Sequence, residues 1–296
     1  NNVSCETYGT IPNWLQGNLY RNGPGLFDFE KQSVSHWFDG MGLLHHFKIK
    51  NNEVNYQSKF VQSSAFKAAS KHQQLTYKEF ATDPCAHLFK RFFTRFNQNF
   101  TTNTLVNLCK IDDTLVSLTE TPQPIIFDPE SLMTQGDFKF NDNYVCNLNT
   151  AHPHYDKSSK TLINLAIRMG IKNYYEFFKI KNKKRSVISS IEVKKPSYQH
   201  SFGMTENYLI LVDSPFKVSS LSLLLKSKPF IKHFKWENCS TIFHIICKKT
   251  GDKKYSINAP NFFMFHQINA FEKKDKIYFD SVTFKDSSVI NALYLK

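Results

Sequence analysis

Three segments of this chain repeat one local pattern, in which a histidine is followed by turn-forming residues and then by a short apolar strand. His152 is followed by Leu162–Leu165, His200 by Tyr208–Val212, and the third unit starts at His266. The histidines are 48 and 66 residues apart, and four-stranded propeller blades repeat at about 40–50 residues. The repeat predicts equivalent hairpins that bring the three side chains to one axis.

The rest of the chain is also dominated by strand signals. Short stretches rich in β-branched and aromatic residues are bounded by polar turns, and they include Val54–Tyr56, Leu115–Thr119, Pro124–Phe127, Leu132–Thr134 and Ile277–Phe279. Such a pattern is typical of a sandwich, a barrel or a propeller, and the histidine repeat favours the propeller. We therefore predict an all-β fold, with residues 1–296 in a single domain.

One segment breaks the strand pattern. After Cys85, apolar side chains recur at helical spacing among Lys and Arg residues, namely Leu88, Phe89, Phe92, Phe93 and Phe96. A short amphipathic helix of this kind fits an anchor at a membrane surface. The same spacing also suits a helix packed on the core, and the spacing alone leaves both interpretations open.

Composition narrows the class of protein. The net charge of +13 suits anionic partners, but no zinc-finger, RRM or helix-turn-helix pattern accompanies it, so we expect no nucleic-acid partner. The densest basic run, Lys181–Arg185, is interpreted as a solvated face. Six cysteines without a CxxC pair are typical of reduced thiols in an intracellular protein. No apolar run approaches the roughly 18 residues that span a bilayer, so we expect a soluble or peripheral protein.

The repeated histidines are candidate metal ligands. A lone histidine is more often a structural hydrogen-bonding group, but three at equivalent places in repeated hairpins favour a shared site. Neutral imidazole suits zinc, copper, iron and nickel, so the residue type leaves the metal open. A metal-binding histidine also needs its other ring nitrogen held by a carboxylate or carbonyl, and Glu120, at the end of an apolar strand, is a candidate for that role.

Seven short motifs, in order along the chain, resemble those of the carotenoid cleavage oxygenase family. They are Arg21–Gly25 (RNGPG), His36–Met41 (HWFDGM), Ser58–Phe60 (SKF), Thr119–Thr121 (TET), Thr150–Asp156 (TAHPHYD), Tyr198–Thr205 (YQHSFGMT) and Phe265–Glu272 (FHQINAFE). The resemblance implies a seven-bladed β-propeller with Fe(II) on its axis, held by four histidines. It also implies that this chain is incomplete, because the C-terminal blades of the family are missing from it.

By motif, the resemblance assigns the metal site. His152, His200 and His266 match the first three ligands of the family, and His154 is a neighbour of the first. Glu120 matches the first of three glutamates behind the ligands, and the family pairing puts it on His200. The fourth histidine and the other two glutamates belong to the part of the family that this chain lacks.

The implied reaction is scission of a polyene double bond of a carotenoid by dioxygen, giving two carbonyl products. An apolar tunnel would set which bond lies above the iron, and Phe38, Thr119 and Tyr198 match positions near that tunnel; plain packing is the alternative role for these three. The segment from Cys85 to Phe96 resembles a membrane-facing patch of animal relatives, which favours the anchor interpretation of its apolar side chains.

Within the family the motifs are closest to the animal type that cleaves eccentrically, at the 9′,10′ bond. Central 15,15′ cleavage and retinoid isomerohydrolysis are the alternatives within the family. A non-catalytic carotenoid- or lipid-binding remnant is the alternative from another class. The resemblance implies an intracellular protein, cytoplasmic or mitochondrial, associated with a membrane.

Overall fold

A computed structural model describes residues 2–82, 101–225 and 228–295. Antiparallel strands dominate this part of the chain and form successive sheets, each built mainly from strands that follow one another in sequence. The predicted segment from Cys85 to Phe96 lies outside the described residues. No helix among the described residues is long and apolar enough to cross a membrane.

The first sheet has the spatial order β1-β4-β3-β2. Its strands are β1 (Asn2–Ser4), β2 (Gly17–Leu26), β3 (Met41–Lys50) and β4 (Glu53–Phe60). Asn51 and Asn52 connect β3 to β4 with positive φ angles of 52° and 63°. Asparagine tolerates this left-handed conformation, which two-residue hairpin turns require because it matches the twist of the strands.

The second sheet is a simple meander in the order β5-β6-β7-β8. Its strands are β5 (Asn107–Ile111), β6 (Thr114–Leu118), β7 (Ile125–Phe127) and β8 (Thr134–Asp137). The strand predicted over Leu132–Thr134 begins only at Thr134, because Leu132 has a φ of +57° and belongs to the turn. The Asp128 carboxylate accepts the backbone N–H of Ser131 at 2.7 Å and fixes that turn.

The third sheet has five strands, with the order β10-β11-β12-β13 and β9 also paired to β11. They are β9 (Leu148–Asn149), β10 (His154–Asp156), β11 (Thr161–Arg168), β12 (Asn173–Lys181) and β13 (Lys184–Val193). The basic run Lys181–Arg185 spans the end of β12, the turn and the start of β13. Asn182 and Lys183 have positive φ angles there, and both their backbone N–H groups donate to the Asp112 carboxylate.

The fourth sheet has the order β14-β15-β18-β19, and β16-β17 and β20-β21 form two-stranded sheets. The strands are β14 (Gly203–Met204), β15 (Tyr208–Asp213), β16 (Phe216–Val218), β17 (Phe234–Trp236), β18 (Thr241–Cys247), β19 (Lys253–Ala259), β20 (Phe263–Lys273) and β21 (Lys276–Phe284). The helices are α1 (Ser64–His72) and α2 (Ser220–Leu225), with 3-10 turns at Trp37–Asp39, Phe230–His233 and Ser287–Leu293.

The core lies between neighbouring sheets. A cluster of fully buried side chains fills the space between the third and fourth sheets, with Leu165, Tyr175, Phe177, Phe202 and Leu211 each 0% exposed. Each such side chain contributes about 1.5–3 kcal/mol by leaving water. Strand β11 is buried on both faces, as expected of a sheet with another sheet packed on each side.

Edge strands of neighbouring sheets contact one another. The Asn22 side-chain amide on β2 donates to the Thr104 carbonyl at 2.9 Å, beside β5, and β14 contacts β20. His152 and His200 lie a few residues before β10 and β14, and His266 is the fourth residue of β20. His152 and His200 therefore lie just before the beginnings of inner strands, and His266 lies among the first residues of β20.

Candidate metal centre

Three imidazole rings lie close together. The Nε2 atoms of His152 and His200 are 3.1 Å apart, and those of His200 and His266 are 3.0 Å apart. One ligand nitrogen from each ring lies within 4.8 Å of the other two. His200 is buried, His152 is half-buried and His266 is exposed. The structure thus brings together the three histidines that the sequence repeat singled out.

Local structure explains how two of these rings are aimed. His152 is followed by Pro153, and the Asn107 side-chain amide on β5 donates to the carbonyl of the preceding Ala151 at 2.9 Å. The same amide lies 3.3 Å from His152 Nδ1. On β20, Met264 pairs with Thr283 and Gln267 with Ser281. Two residues of β20 therefore oppose one of β21, a bulge that redirects the side chain of His266.

Glu120 lies directly behind His200. Its Oε1 atom is 2.6 Å from His200 Nδ1 and accepts a hydrogen bond from the Tyr198 hydroxyl at 2.7 Å. Burial and the Glu120 carboxylate raise the pKa of Tyr198 well above its ordinary value, so its hydroxyl stays a donor. A proton on His200 Nδ1 satisfies Glu120 and leaves the Nε2 lone pair directed at the other two rings.

Burial favours the neutral form of the other two rings. Burial, followed by the neighbouring His200 and His266 rings, lowers the pKa of His152 to about 3. Burial also lowers the pKa of His266. Metal binding requires neutral imidazole, so these two rings are in the protonation state of ligands at neutral pH.

The spacing of the nitrogens fits a metal ion. Two metal–nitrogen bonds of about 2.1 Å that meet at a right angle place their nitrogens about 3.0 Å apart, which matches the two measured Nε2 separations of 3.1 and 3.0 Å. Among the described residues, His200 has a carboxylate on its Nδ1 atom, whereas His266 Nδ1 has no hydrogen-bond partner there. The group can hold a metal through neutral imidazoles alone, with one ligand firmly oriented.

An aromatic cluster borders the histidines. The Phe265 ring centroid lies 5.5 Å from that of His200 and 5.7 Å from that of Phe38. Tyr198 belongs to the same cluster through Phe263 and Phe265, so two of the predicted tunnel residues lie near the site. Thr119, the third, is buried beside Glu120.

His154 stays outside the group, as the motif indicates. Its Nε2 atom lies 3.0 Å from the Phe202 carbonyl oxygen. Sequence reasoning missed Asn107, whose amide contacts the His152 segment from 45 residues away in the chain. No motif singled it out, and only the packing of the second sheet on the third brings it there.

The chain is similar throughout its length to one family and to its curated members. The family described as Retinal pigment epithelial membrane protein matches residues 1–296. The β,β-carotene 15,15′-dioxygenase of Gallus gallus is 34% identical over 328 residues, which cover 99% of this chain and 61% of that protein. The mitochondrial carotenoid-cleaving dioxygenase of Homo sapiens is 36% identical over 308 residues, which cover 94% of this chain and 52% of that protein.

Solved structures agree on the fold. Cobalt-substituted Synechocystis ACO superposes with a TM-score of 0.83 at 24% identity, over 96% of this chain and 61% of that one. An ACO/RPE65 chimera gives the same TM-score, identity and coverage. The chain thus spans about three fifths or less of the length of these relatives, and its predicted propeller architecture is confirmed. It belongs to the retinal pigment epithelial membrane protein family, the family of the carotenoid cleavage oxygenases.

Proposed function

We propose that the natural protein carrying this sequence is a non-haem Fe(II) dioxygenase that cleaves a conjugated double bond of a carotenoid. The observation that carries the proposal is the convergence of His152, His200 and His266, with Nε2 separations of 3.0 and 3.1 Å and a carboxylate behind His200. The names of the relatives support the substrate class, because both curated proteins are carotenoid dioxygenases.

Iron is proposed as the resident metal, with the three histidines as its ligands from this chain. Imidazole alone suits several first-row metals, and the cobalt form of a protein with the same fold supports a site for a divalent transition metal. A ferrous ion bound by neutral imidazoles would keep its full positive charge and supply the activation of dioxygen. Glu120 holds the His200 ring in the tautomer and orientation that this binding needs.

The chain's own part in the reaction is positioning and the exclusion of water. Phe38 and Phe265 present apolar rings beside the histidines, a suitable wall for a flat, electron-rich polyene. Tyr198 lies behind this wall and donates its hydroxyl hydrogen to Glu120. Its proposed role is therefore to support Glu120 as well as to line the substrate path.

The proposed position of cleavage is eccentric, at the 9′,10′ bond, on the strength of the motifs around His200 and His266. Central 15,15′ cleavage is the second candidate, favoured by the 34% identity to the chicken enzyme of that name. The two differ in a simple way for a symmetrical substrate such as β-carotene: central cleavage gives two identical carbonyl products, whereas eccentric cleavage gives two unequal ones.

Product analysis tests both levels of the proposal. The natural protein, loaded with Fe(II), is supplied with β-carotene under ¹⁸O₂, and the products are identified by mass spectrometry. We expect two unequal products, each carrying one labelled oxygen, and a loss of at least about 100-fold in rate for His200→Ala. Unchanged activity in His200→Ala would overturn the proposed metal site. Carotenoid binding without any product would favour the non-catalytic alternative.

Peripheral membrane contact and an intracellular location remain part of the proposal. A substrate dissolved in lipid would reach an apolar site directly from a membrane, and the side chains from Cys85 to Phe96 are the proposed contact. The human relative's name places that protein in mitochondria. Cell fractionation of the natural protein tests both points, with recovery in the membrane fraction and release by carbonate expected for a peripheral protein.

A further inference from the structure

We infer that Ser201 is a positioning residue that sets the distance between the His200 and His266 rings. This inference rests on the proposed metal site and adds to it a residue that makes no contact with the metal. Ser201 follows His200 directly, and its side chain is buried, with 4% of its surface exposed.

The Ser201 hydroxyl bridges the two residues on either side of His266. Its Oγ donates to the Phe265 carbonyl oxygen at 2.7 Å and accepts the Gln267 backbone N–H at 3.1 Å. A single oxygen thereby fixes the backbone before and after the third histidine, and it belongs to the residue next to the second histidine.

The Ser201 bridge lies at a bulge in β20, where strand pairing holds the backbone less firmly. Phe265 and His266 together oppose Val282 alone, so the ladder between β20 and β21 changes register at His266. The Ser201 bridge supplies two hydrogen bonds at this point and ties it to the strand segment that carries His200.

The His200 side of the bridge is itself rigid. Glu120 and Tyr198 hold the His200 ring through the contacts described above, and the neighbouring Phe202 is fully buried in the core. His266, in contrast, is exposed and has no hydrogen bond on Nδ1 among the described residues. Its position relative to His200 therefore depends on its backbone, which Ser201 holds.

Cobalt titration tests the inference with a readout other than activity. Co(II) binding to the natural protein that carries this sequence is followed by the visible absorption band of the bound ion. We expect Ser201→Ala to weaken Co(II) binding on the order of tenfold, in the lower range for residues that support metal ligands. Ser201→Thr, which keeps the hydroxyl, should bind within about threefold of the wild-type chain.

Ser214→Ala is the matched control. Ser214 is also 4% exposed, but its hydroxyl has no hydrogen-bond partner among the described residues, so this variant should bind Co(II) like the wild-type chain. Binding by Ser201→Ala within twofold of the wild type would overturn the inference. Equal weakening in Ser201→Ala and Ser201→Thr would overturn it too, because the hydroxyl would then not be the cause.

Hydrogen exchange separates this inference from the proposed function. If the wild-type protein binds no Co(II), the proposed metal site is wrong. The Ser201 hydrogen bonds are then tested by amide exchange in the metal-free protein. Amide exchange in a peptide covering residues 263–269 should be faster in Ser201→Ala than in Ser214→Ala, because the Gln267 N–H loses its acceptor. Equal exchange rates in the two variants would overturn the inference independently of any metal.

Discussion

At the scale of single residues, the site depends on one carboxylate oxygen. Glu120 Oε1 contacts His200 Nδ1 and accepts a hydrogen bond from the Tyr198 hydroxyl. It therefore connects a candidate metal ligand to the aromatic cluster. A ring held in this way loses less orientational freedom when it binds a metal. The two donors make separable contributions, which substitutions at Glu120 and Tyr198 can measure.

Removal of the Glu120 carboxylate should weaken metal binding. We expect Glu120→Ala to raise the Kd for Co(II) by about 10- to 100-fold, because His200 Nδ1 loses its acceptor. Tyr198→Phe keeps the Glu120–His200 contact and should change the Kd by less than about threefold. Titration of both variants by visible absorption checks the prediction. An equal effect of the two substitutions would contradict the view that the carboxylate acts on His200 directly.

A second buried cluster, made of two carboxyl groups, contributes to the pH dependence of stability. Glu79 and Asp39 are both buried, and they accept hydrogen bonds from Thr101 at 2.8 Å and from Thr82 at 2.5 Å. Burial raises the pKa of Glu79 from 4.5 to about 8 and that of Asp39 from 3.8 to about 6. The folded chain therefore retains protons that the unfolded chain releases between pH 4 and 8.

Replacement of Glu79 should flatten this dependence. A raised carboxyl pKa means that the free energy of unfolding falls as the pH rises from 4.5 to about 8. Glu79→Gln removes that contribution, so its stability relative to wild type should increase by roughly 4 kcal/mol between pH 5 and 8.5, since each pKa unit is worth about 1.4 kcal/mol. Urea unfolding at both pH values measures the change. Parallel pH profiles for the two proteins would contradict it.

At the scale of elements, the short strand β14 follows His200 and helps to set the position of its backbone. Gly203 begins this strand, and a Cβ atom there would lie 2.7 Å from Phe279 Cε2 and 3.0 Å from Ile210 Cβ. Both distances are below van der Waals contact, and Ile210 is fully buried. The close approach of β14 to β15 and β21 therefore requires glycine at this position.

Insertion of a methyl group at Gly203 should displace β14 and His200 with it. We expect Gly203→Ala to lower the free energy of unfolding by about 1–3 kcal/mol, the usual cost of overpacking, and to weaken Co(II) binding. Gly23→Ala is the control, because a Cβ atom there meets nothing within 4 Å. Urea unfolding and Co(II) titration of both variants check the prediction, which an unchanged Gly203→Ala protein would contradict.

The elements also show how far sequence reasoning reaches. Most of the apolar strands and the three histidines follow local rules of propensity and spacing, and the motifs supplied the pairing of Glu120 with His200. The roles of Asn107 and Ser201 could not be predicted from the sequence, because they depend on contacts with residues 44 and 64 positions away in the chain. The bulge at His266 could not be predicted either, since it arises from the pairing of β20 with β21 and not from the sequence of one strand alone.

At the scale of the whole molecule, one face of the sheet β20–β21 is left uncovered by the part of the chain that the structure describes. Along β21, Ile277 and Phe279 pack on the core, whereas the alternate residues Tyr278 and Val282 are 40% and 50% exposed. Phe271 stacks on Tyr278 from the neighbouring strand. These exposed side chains are apolar, like those on the covered faces of the other sheets. The face is therefore suited to pack against another sheet.

The uncovered face should make the 296-residue chain self-associate. The net charge of +13 opposes association at low salt, and salt screens this repulsion, with a Debye length of about 8 Å at 0.15 M. We therefore expect oligomers that increase with ionic strength, measured by light scattering coupled to size-exclusion chromatography. The double variant Ile268→Lys, Tyr278→Lys should remain a monomer, because both side chains lie exposed on this sheet. Ile171→Lys is the control at the fully exposed turn between β11 and β12, and loss of association in that variant would mean that total charge, rather than this face, controls the assembly.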